Sequence, residues 1–396
     1  MKKIDPYEEV LKFYELLTDK TLNREAFKDA LRETVTPEEI EVYFLVPAIG
    51  NVTYDKLESL ADKKNINRER LQSSLEKLAR EGFILAYKTQ KGRAFERSHV
   101  AHMSEQQVRK QEDTVRRKVY AEWWNASGEG KTRPLSKTPY YRVVPVEAAL
   151  SHSPATRKID IDVPVPDPRA VLPLDVISKM VATRSVIGVA ECTCRKTQKV
   201  IGKGCEHPLE TCFVFDHVAE TLIDAGIARK LDYAEALRIL GECNAAGLVH
   251  NIDNAEGEFT SLCNCCPCSC VLFKTVGRGA TNTMAKSRYI ASLDTSKCRG
   301  IGACASICPA HAITMNGDRA SLDQSKCVGC GKCVVSCTSG AVKLVKREKE
   351  PKMYSTYKSL WSHIAYEAFV EKTLNKITGK STSSIGNNGE TDKKVT

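Results

Sequence analysis

Five cysteines occupy the ten positions of SLCNCCPCSC, residues 261–270, and four more follow at Cys327, Cys330, Cys333 and Cys337 in CVGCGKCVVSC. All 17 cysteines of this 396-residue chain fall between Cys192 and Cys337. Where thiols are kept reduced, such density points to metal, and an odd number of cysteines sits badly with complete disulfide pairing. The spacing C-x2-C-x2-C-x3-C is informative in itself. Three thiolates on a tight turn can hold three irons of a cubane cluster, while the fourth is directed away toward a second cluster. A zinc site needs only four ligands in C-x2-C pairs and has no use for the middle cysteine.

Upstream, CRGIGACASICPAHAI supplies Cys298, Cys304 and Cys308, and CPAHAI in this half corresponds to CTSGAV in the next. On these motifs residues 291–346 resemble a bacterial two-cluster ferredoxin. Two positions depart from that pattern: Ile301 stands where the first motif should have its second cysteine, and Thr338 where a proline is expected. The crossed ligation of the family implies that Cys327, Cys330, Cys333 and Cys308 hold a complete [4Fe-4S] cluster. Cys298, Cys304 and Cys337 are then left with three ligands, which fits a [3Fe-4S] cluster, with the Ile301 side chain filling the missing corner. A cubane with an open or non-thiolate iron, or no first cluster, are the alternatives.

In the middle of the chain, ECTCRKTQKVIGKGCEHPLETC carries Cys192, Cys194, Cys205 and Cys212, and AAGLVHN leads toward the cysteine run. Residues 171–275 resemble a domain found beside ferredoxin modules in iron–sulfur proteins of anaerobic metabolism, with C-x-C-R, a spaced cysteine pair, GLVH and a CNCC array in that order. Ser269 interrupts the array here. If residues 261–270 are extended, Cys263 and Cys265 face one side and Cys266, Cys268 and Cys270 the other, so the segment would be a strand wedged between two [4Fe-4S] clusters. The nine cysteines give two sets of four with one to spare, and zinc is the alternative at one site. Arg195 can donate to a cluster sulfur. Cys243 reads as a buried small residue and His250 as structural, while His207 and His217 suggest no mechanism.

These residues need elements to position them. The first cysteine-free stretch has a helical pattern in YEEVLKFYELL. It is followed by a capping box at Thr36 and Glu39 with Pro37 in the first turn, and by two amphipathic segments carrying Leu57, Leu60, Leu71, Leu75 and Leu78. Gly82 ends the second, and FILAYKTQKGRAFERSHV reads as strand, turn and strand. Three helices and a hairpin over residues 34–100 resemble a winged helix. Its third helix mixes Arg68, Arg70, Lys77 and Arg80 with Glu69, Glu76 and Glu81, and its wing carries Lys88, Lys91 and Arg93. The mixture favours docking against protein over reading DNA. Residues 104–125 form a polar helix in which Trp123 and Trp124 read as packing residues, and Gly/Ser/Pro-rich connection follows. Leu360, Ile364, Phe369 and Leu374 give the C-terminal segment an apolar helical face.

The expected class is therefore α+β multidomain, with a winged-helix-like N-terminal module, a cysteine-rich iron–sulfur domain and a ferredoxin-like dicluster domain. The expected divisions are an N-terminal helical segment 1–33, the winged-helix-like domain 34–100, helix and linker 101–170, the cysteine-rich domain 171–285, the dicluster domain 286–346, a C-terminal helix 347–378 and a disordered tail 379–396. Net charge of +10, from 59 basic and 49 acidic residues, permits nucleic acid, an acidic protein or a membrane surface without selecting one. No signal-peptide pattern and no membrane span is seen, which suggests the cytoplasm. No phosphate loop, Ser/His/Asp arrangement or acid/base carboxylate pair stands out. The expected function is electron transfer to or from a partner oxidoreductase in an anaerobe, through about three [4Fe-4S] clusters and one [3Fe-4S] cluster, as a redox subunit rather than a catalytic chain. The alternative is a redox-sensing transcription regulator that binds DNA through the winged helix.

Overall fold

The computed structural model describes residues 5–16, 23–48, 50–110, 115–129, 135–151, 176–257, 259–277 and 283–378. The expected disordered tail at 379–396 and the Pro-rich stretch at 162–173 lie outside them. Helices α1 (Pro6–Tyr14), α2 (Arg24–Thr34) and α3 (Pro37–Tyr43) come first, then β1 (Asn51–Thr53), α4 (Tyr54–Asp62), α5 (Arg68–Arg80), β2 (Ile84–Thr89) and β3 (Gly92–Arg97). The capping box forms: the Glu39 N–H donates to Thr36 Oγ1 at 3.3 Å and the Thr36 N–H to Glu39 Oε2 at 2.8 Å. Leu57, Leu71, Leu75 and Leu78 are buried in one core with Phe27, Tyr43 and Phe95, and Leu60 packs at its edge. Gly82 ends α5 at φ +80°, where a Cβ would stand 2.8 Å from the Gln106 side chain. Strand β1, absent from the sequence reading, pairs antiparallel with β3 through Val52 and Phe95.

Helices α6 (Val100–Arg109) and α7 (Val115–Gly128) extend this core, because Tyr120 and Trp123 belong to it. The polar sequence of α6 does not face water. Ser104, Gln106, Gln107 and Arg109 are buried, since the helix lies between the N-terminal core and the cysteine-rich part, and its polar groups bond across that boundary.

Among the described residues a seven-stranded sheet runs in the order β10-β4-β8-β9-β6-β5-β7. Its strands are β4 (Tyr141–Val144), β5 (Ile187–Glu191), β6 (Glu210–Phe215), β7 (Ala228–Leu231), β8 (Val249–Asp253), β9 (Ser261–Cys265) and β10 (Met284–Ala285). Around it lie α8 (Glu147–Ser151), α9 (Ile177–Ala182), α10 (Thr193–Val200), α11 (Asp216–Asp224), α12 (Tyr233–Ala245) and α13 (Val271–Gly277). Strand β4 corrects the reading of residues 101–170 as helix and linker. It pairs with β8 from Tyr141↔Asp253 to Val144↔His250, so Tyr141–Val144 belong to the sheet.

Beyond the sheet, β11 (Tyr289–Leu293) pairs antiparallel with β14 (Val342–Lys346), and β12 (Ile313–Asn316) forms a hairpin with β13 (Arg319–Leu322). Two short helices, α14 (Ala303–Ser306) and α15 (Lys332–Ser336), start after Gly302 and Gly331. The last helix is α16 (Tyr357–Thr378). It buries Leu360, Ile364 and Ala368, whereas Phe369 and Leu374 are 69% and 50% exposed. The expected single apolar face is thus covered only along its first half, where the helix still lies on the body. Among the described residues no helix is long and apolar enough to cross a membrane.

Candidate metal centres

Cys308, Cys327, Cys330 and Cys333 line one apolar recess. Cys304, by contrast, lies in the field of Cys337 and Cys298. Cys304 also acts on Cys333, so the four thiols around the recess and the other three lie against each other. Backbone donors are already aimed at the sulfurs: the Ala291 N–H at Cys327 (3.5 Å), the Ala312 N–H at Cys308 (3.2 Å) and the Ala320 N–H at Cys298 (3.4 Å). Such donors stabilise thiolate and sulfide charge. Burial opposes that charge when no cation is present, pushing the Cys330 thiol up to about 12. An apolar recess ringed by thiols and flanked by N–H groups fits an iron–sulfur cluster.

Glycine makes these turns possible. Gly329 and Gly331 sit at φ +75° and +78°, and a Cβ on them would lie 2.0 Å from Tyr289 O and 2.6 Å from the Ala149 Cβ. Gly300 and Gly302 repeat the pattern at +72° and +77° around Ile301. Ile301 itself is 65% exposed.

The nine cysteines of the middle part divide as six and three. Cys192 and Cys194 stand at the start of α10, Cys212 lies on β6, Cys263 and Cys265 on β9, and Cys270 just before α13. Their thiols shift one another's protonation in an unbroken chain, Cys192–Cys194–Cys270–Cys265–Cys263–Cys212. Hydrogen bonds from Cys194 and Cys265 lower Cys270 to about 6, and those from Cys212 and Cys265 hold Cys263 well below the usual thiol range. Two cationic or N–H donors from remote helices reach the same chain: Arg109 Nη2 donates to Cys212 Sγ at 3.0 Å and Trp124 Nε1 to Cys194 Sγ at 3.4 Å. Neither was legible in the sequence, where Trp124 reads as a packing residue.

Cys205, Cys266 and Cys268 form the separate trio, with all three sulfurs within 4.8 Å of one another. The alternation expected through residue 270 stops at Cys265, where β9 ends and Pro267–Ser269 turn. That turn carries Cys270 back to the side of Cys263 and Cys265, away from Cys266 and Cys268.

A buried polar chain joins these regions. Lys332 Nζ donates to Asn244 O and Oδ1, both at 3.1 Å. His250 lies between Asn244 Oδ1 (2.7 Å) and Asn264 Oδ1 (2.6 Å), and Arg195 Nη1 donates to Asn264 O (3.2 Å) and Cys266 Sγ (3.6 Å). With both ring nitrogens on asparagine, His250 is structural; burial, then Lys332, lowers it to about 4. Cys243 is buried on α12, and burial raises it to about 12. Cys330 and Val328 share an apolar cluster with Cys265 and Cys270, so the two thiol regions abut through packed side chains.

Three of the four basic residues of α5 are paired within the N-terminal part. Arg70 pairs with Glu41 at 2.7 Å, Lys77 with Glu39 at 2.9 Å and Arg68 with Glu58 at 3.2 Å. Strand β2 lies along α11, where Thr221 Oγ1 donates to Ala86 O (2.9 Å) and the Lys88 N–H donates to Glu220 Oε2 (3.3 Å). His217 packs against Tyr87 at this contact.

Residues 291–348 match the family model described as the LdpA Fe-S cluster-binding domain. No curated protein and no solved structure matches the chain. Together with the cysteine content, the match identifies an iron–sulfur domain in the C-terminal part.

Proposed function

We propose that the chain is a multi-cluster electron-transfer protein, acting as a redox subunit for a partner oxidoreductase in anaerobic, cytoplasmic metabolism. In this reading residues 286–346 are a ferredoxin-like dicluster domain. Cys308, Cys327, Cys330 and Cys333 hold a [4Fe-4S] cluster, and Cys298, Cys304 and Cys337 a [3Fe-4S] cluster. Cys192, Cys194, Cys212, Cys263, Cys265 and Cys270 offer more than the four thiolates that a further cubane takes. The observation that carries the reading is the shared apolar cluster of Cys330, Cys265 and Cys270, which supports two cluster positions lying side by side. The clusters supply the one-electron chemistry. The protein's own part is to bury them, to aim Ala291, Ala312, Arg109 and Trp124 donors at their sulfurs, and so to favour the reduced state.

Iron and sulfide counting on anaerobically purified full-length protein tests this directly. Three clusters of four, three and four irons give about 11 irons per chain with matching sulfide. Fewer than about 8 irons would remove the middle cluster from the reading.

A regulator that binds DNA through a winged-helix-like module at 34–100 is the second reading, and the α+β order of α3 to β3 supports that module. The ion pairs on α5 and the docking of β2 on α11 weigh against its use on DNA.

A further inference from the structure

Cys205, Cys266 and Cys268 differ from the other thiols in how close they stand. Cys205 Sγ and Cys266 Sγ are 4.0 Å apart, and all three sulfurs lie within 4.8 Å. Among the described residues no other trio of cysteine, histidine or acidic side chains is brought together so tightly. Four metal–sulfur bonds of about 2.3 Å at tetrahedral angles put the sulfurs about 3.8 Å apart, close to the 4.0 Å between Cys205 and Cys266, with Cys268 within 4.8 Å of both. In a cubane, irons and bridging sulfides separate the ligands, as Cys308, Cys327, Cys330 and Cys333 are separated around their recess.

A fourth donor is at hand. Ser269 Oγ lies 3.2 Å from Cys205 Sγ and 3.9 Å from Cys268 Sγ. Charge also balances: three thiolates around a divalent cation leave one negative charge, and the fully buried Arg195 donates to Cys266 Sγ at 3.6 Å.

We propose that Cys205, Cys266 and Cys268, with Ser269 Oγ as fourth donor, bind one tetrahedral zinc ion that is separate from the clusters. Zinc suits a thiolate-rich tetrahedral set and takes no part in electron transfer. It would clip the loop that follows α10, where Cys205 sits, to the turn that follows β9. Binding releases the three thiol protons to solvent, and the metal stabilises this junction against opening.

The test is metal analysis of the full-length protein purified anaerobically, with acid-labile sulfide counted in the same sample. About one zinc per chain is expected. Combining Cys205→Ala with Cys268→Ala should lower zinc at least about tenfold while leaving iron and sulfide unchanged. Ser269→Cys, which completes four thiolates, should keep the zinc and slow its loss to a chelator. Cobalt(II) exchanged into the site should give tetrahedral ligand-field bands that the alanine variant lacks. Loss of about four irons with their sulfide from that variant would replace the zinc ion with a cluster and overturn the proposal. Wild-type protein with no zinc, or with a single iron at this position, would overturn it too. Failure of the cluster reading is distinguishable, because it would lower iron and sulfide and leave zinc at one per chain.

Discussion

Ile301 shows how much one side chain can decide. Its two neighbours match those of Cys330, since Gly300 and Gly302 reproduce the left-handed φ of Gly329 and Gly331. In the proposed reading this is the turn that would present a ligand, with the sulfur missing. Replacing Ile301→Cys should convert a three-iron centre into a cubane. About one iron per chain is gained, and the paramagnetic signal of the oxidised three-iron cluster disappears. Absence of that signal in the wild type, with no iron gained by the variant, would mean that the first position is empty or differently ligated. The substitution was legible in the sequence because it breaks a spacing. Its exposure was not, because burial depends on what packs over the turn, and here Ile301 is left 65% exposed.

Among the elements, those with strong local signals were legible: the capped α3, the leucine-bearing α4 and α5, and the β2–β3 hairpin. Those made by remote partners were not. Strands β1 and β4 are three and four residues long, and each becomes a strand only by pairing with a neighbour far along the chain. Polar α6 misled for a related reason, because its Gln and Arg side chains bond inside the molecule instead of to water. The same logic bears on the hairpin as a DNA wing. Since the β2 edge is engaged by Thr221 and Glu220, we expect retention on random duplex DNA to be negligible at physiological salt. Lys91→Glu with Arg93→Glu should change it less than about twofold. Tight, steeply salt-dependent binding that these substitutions abolish would restore the regulator.

Over the whole molecule, the cysteine inventory was legible and its partition was not. The split into six and three follows from a turn at Pro267–Ser269 and from Arg109 and Trp124, which arrive from helices far upstream. Holding these parts together are buried ionisable groups that make stability depend on pH. Burial raises Asp253, whose carboxylate accepts from the Thr260 N–H at 2.6 Å, to about 7, and it raises Glu105 to about 7 as well. It lowers His99 and His102 to about 4 and about 3. A carboxyl whose pKa is raised by folding stabilises fully below its unfolded value and loses that contribution as pH rises through about 7. The histidines act in the opposite window: their contribution is complete above the unfolded pKa near 6.5 and fades as pH falls toward about 4 and below. Replacing Asp253→Asn keeps an oxygen to accept from Thr260 and removes the titration. The thermal midpoint of the variant should therefore fall less than that of the wild type between about pH 5 and about pH 8, while the two lose stability alike on the acid side of about pH 5. Equal slopes above about pH 5 would show that Asp253 is ionised throughout and held by its three donors instead of being kept neutral by burial.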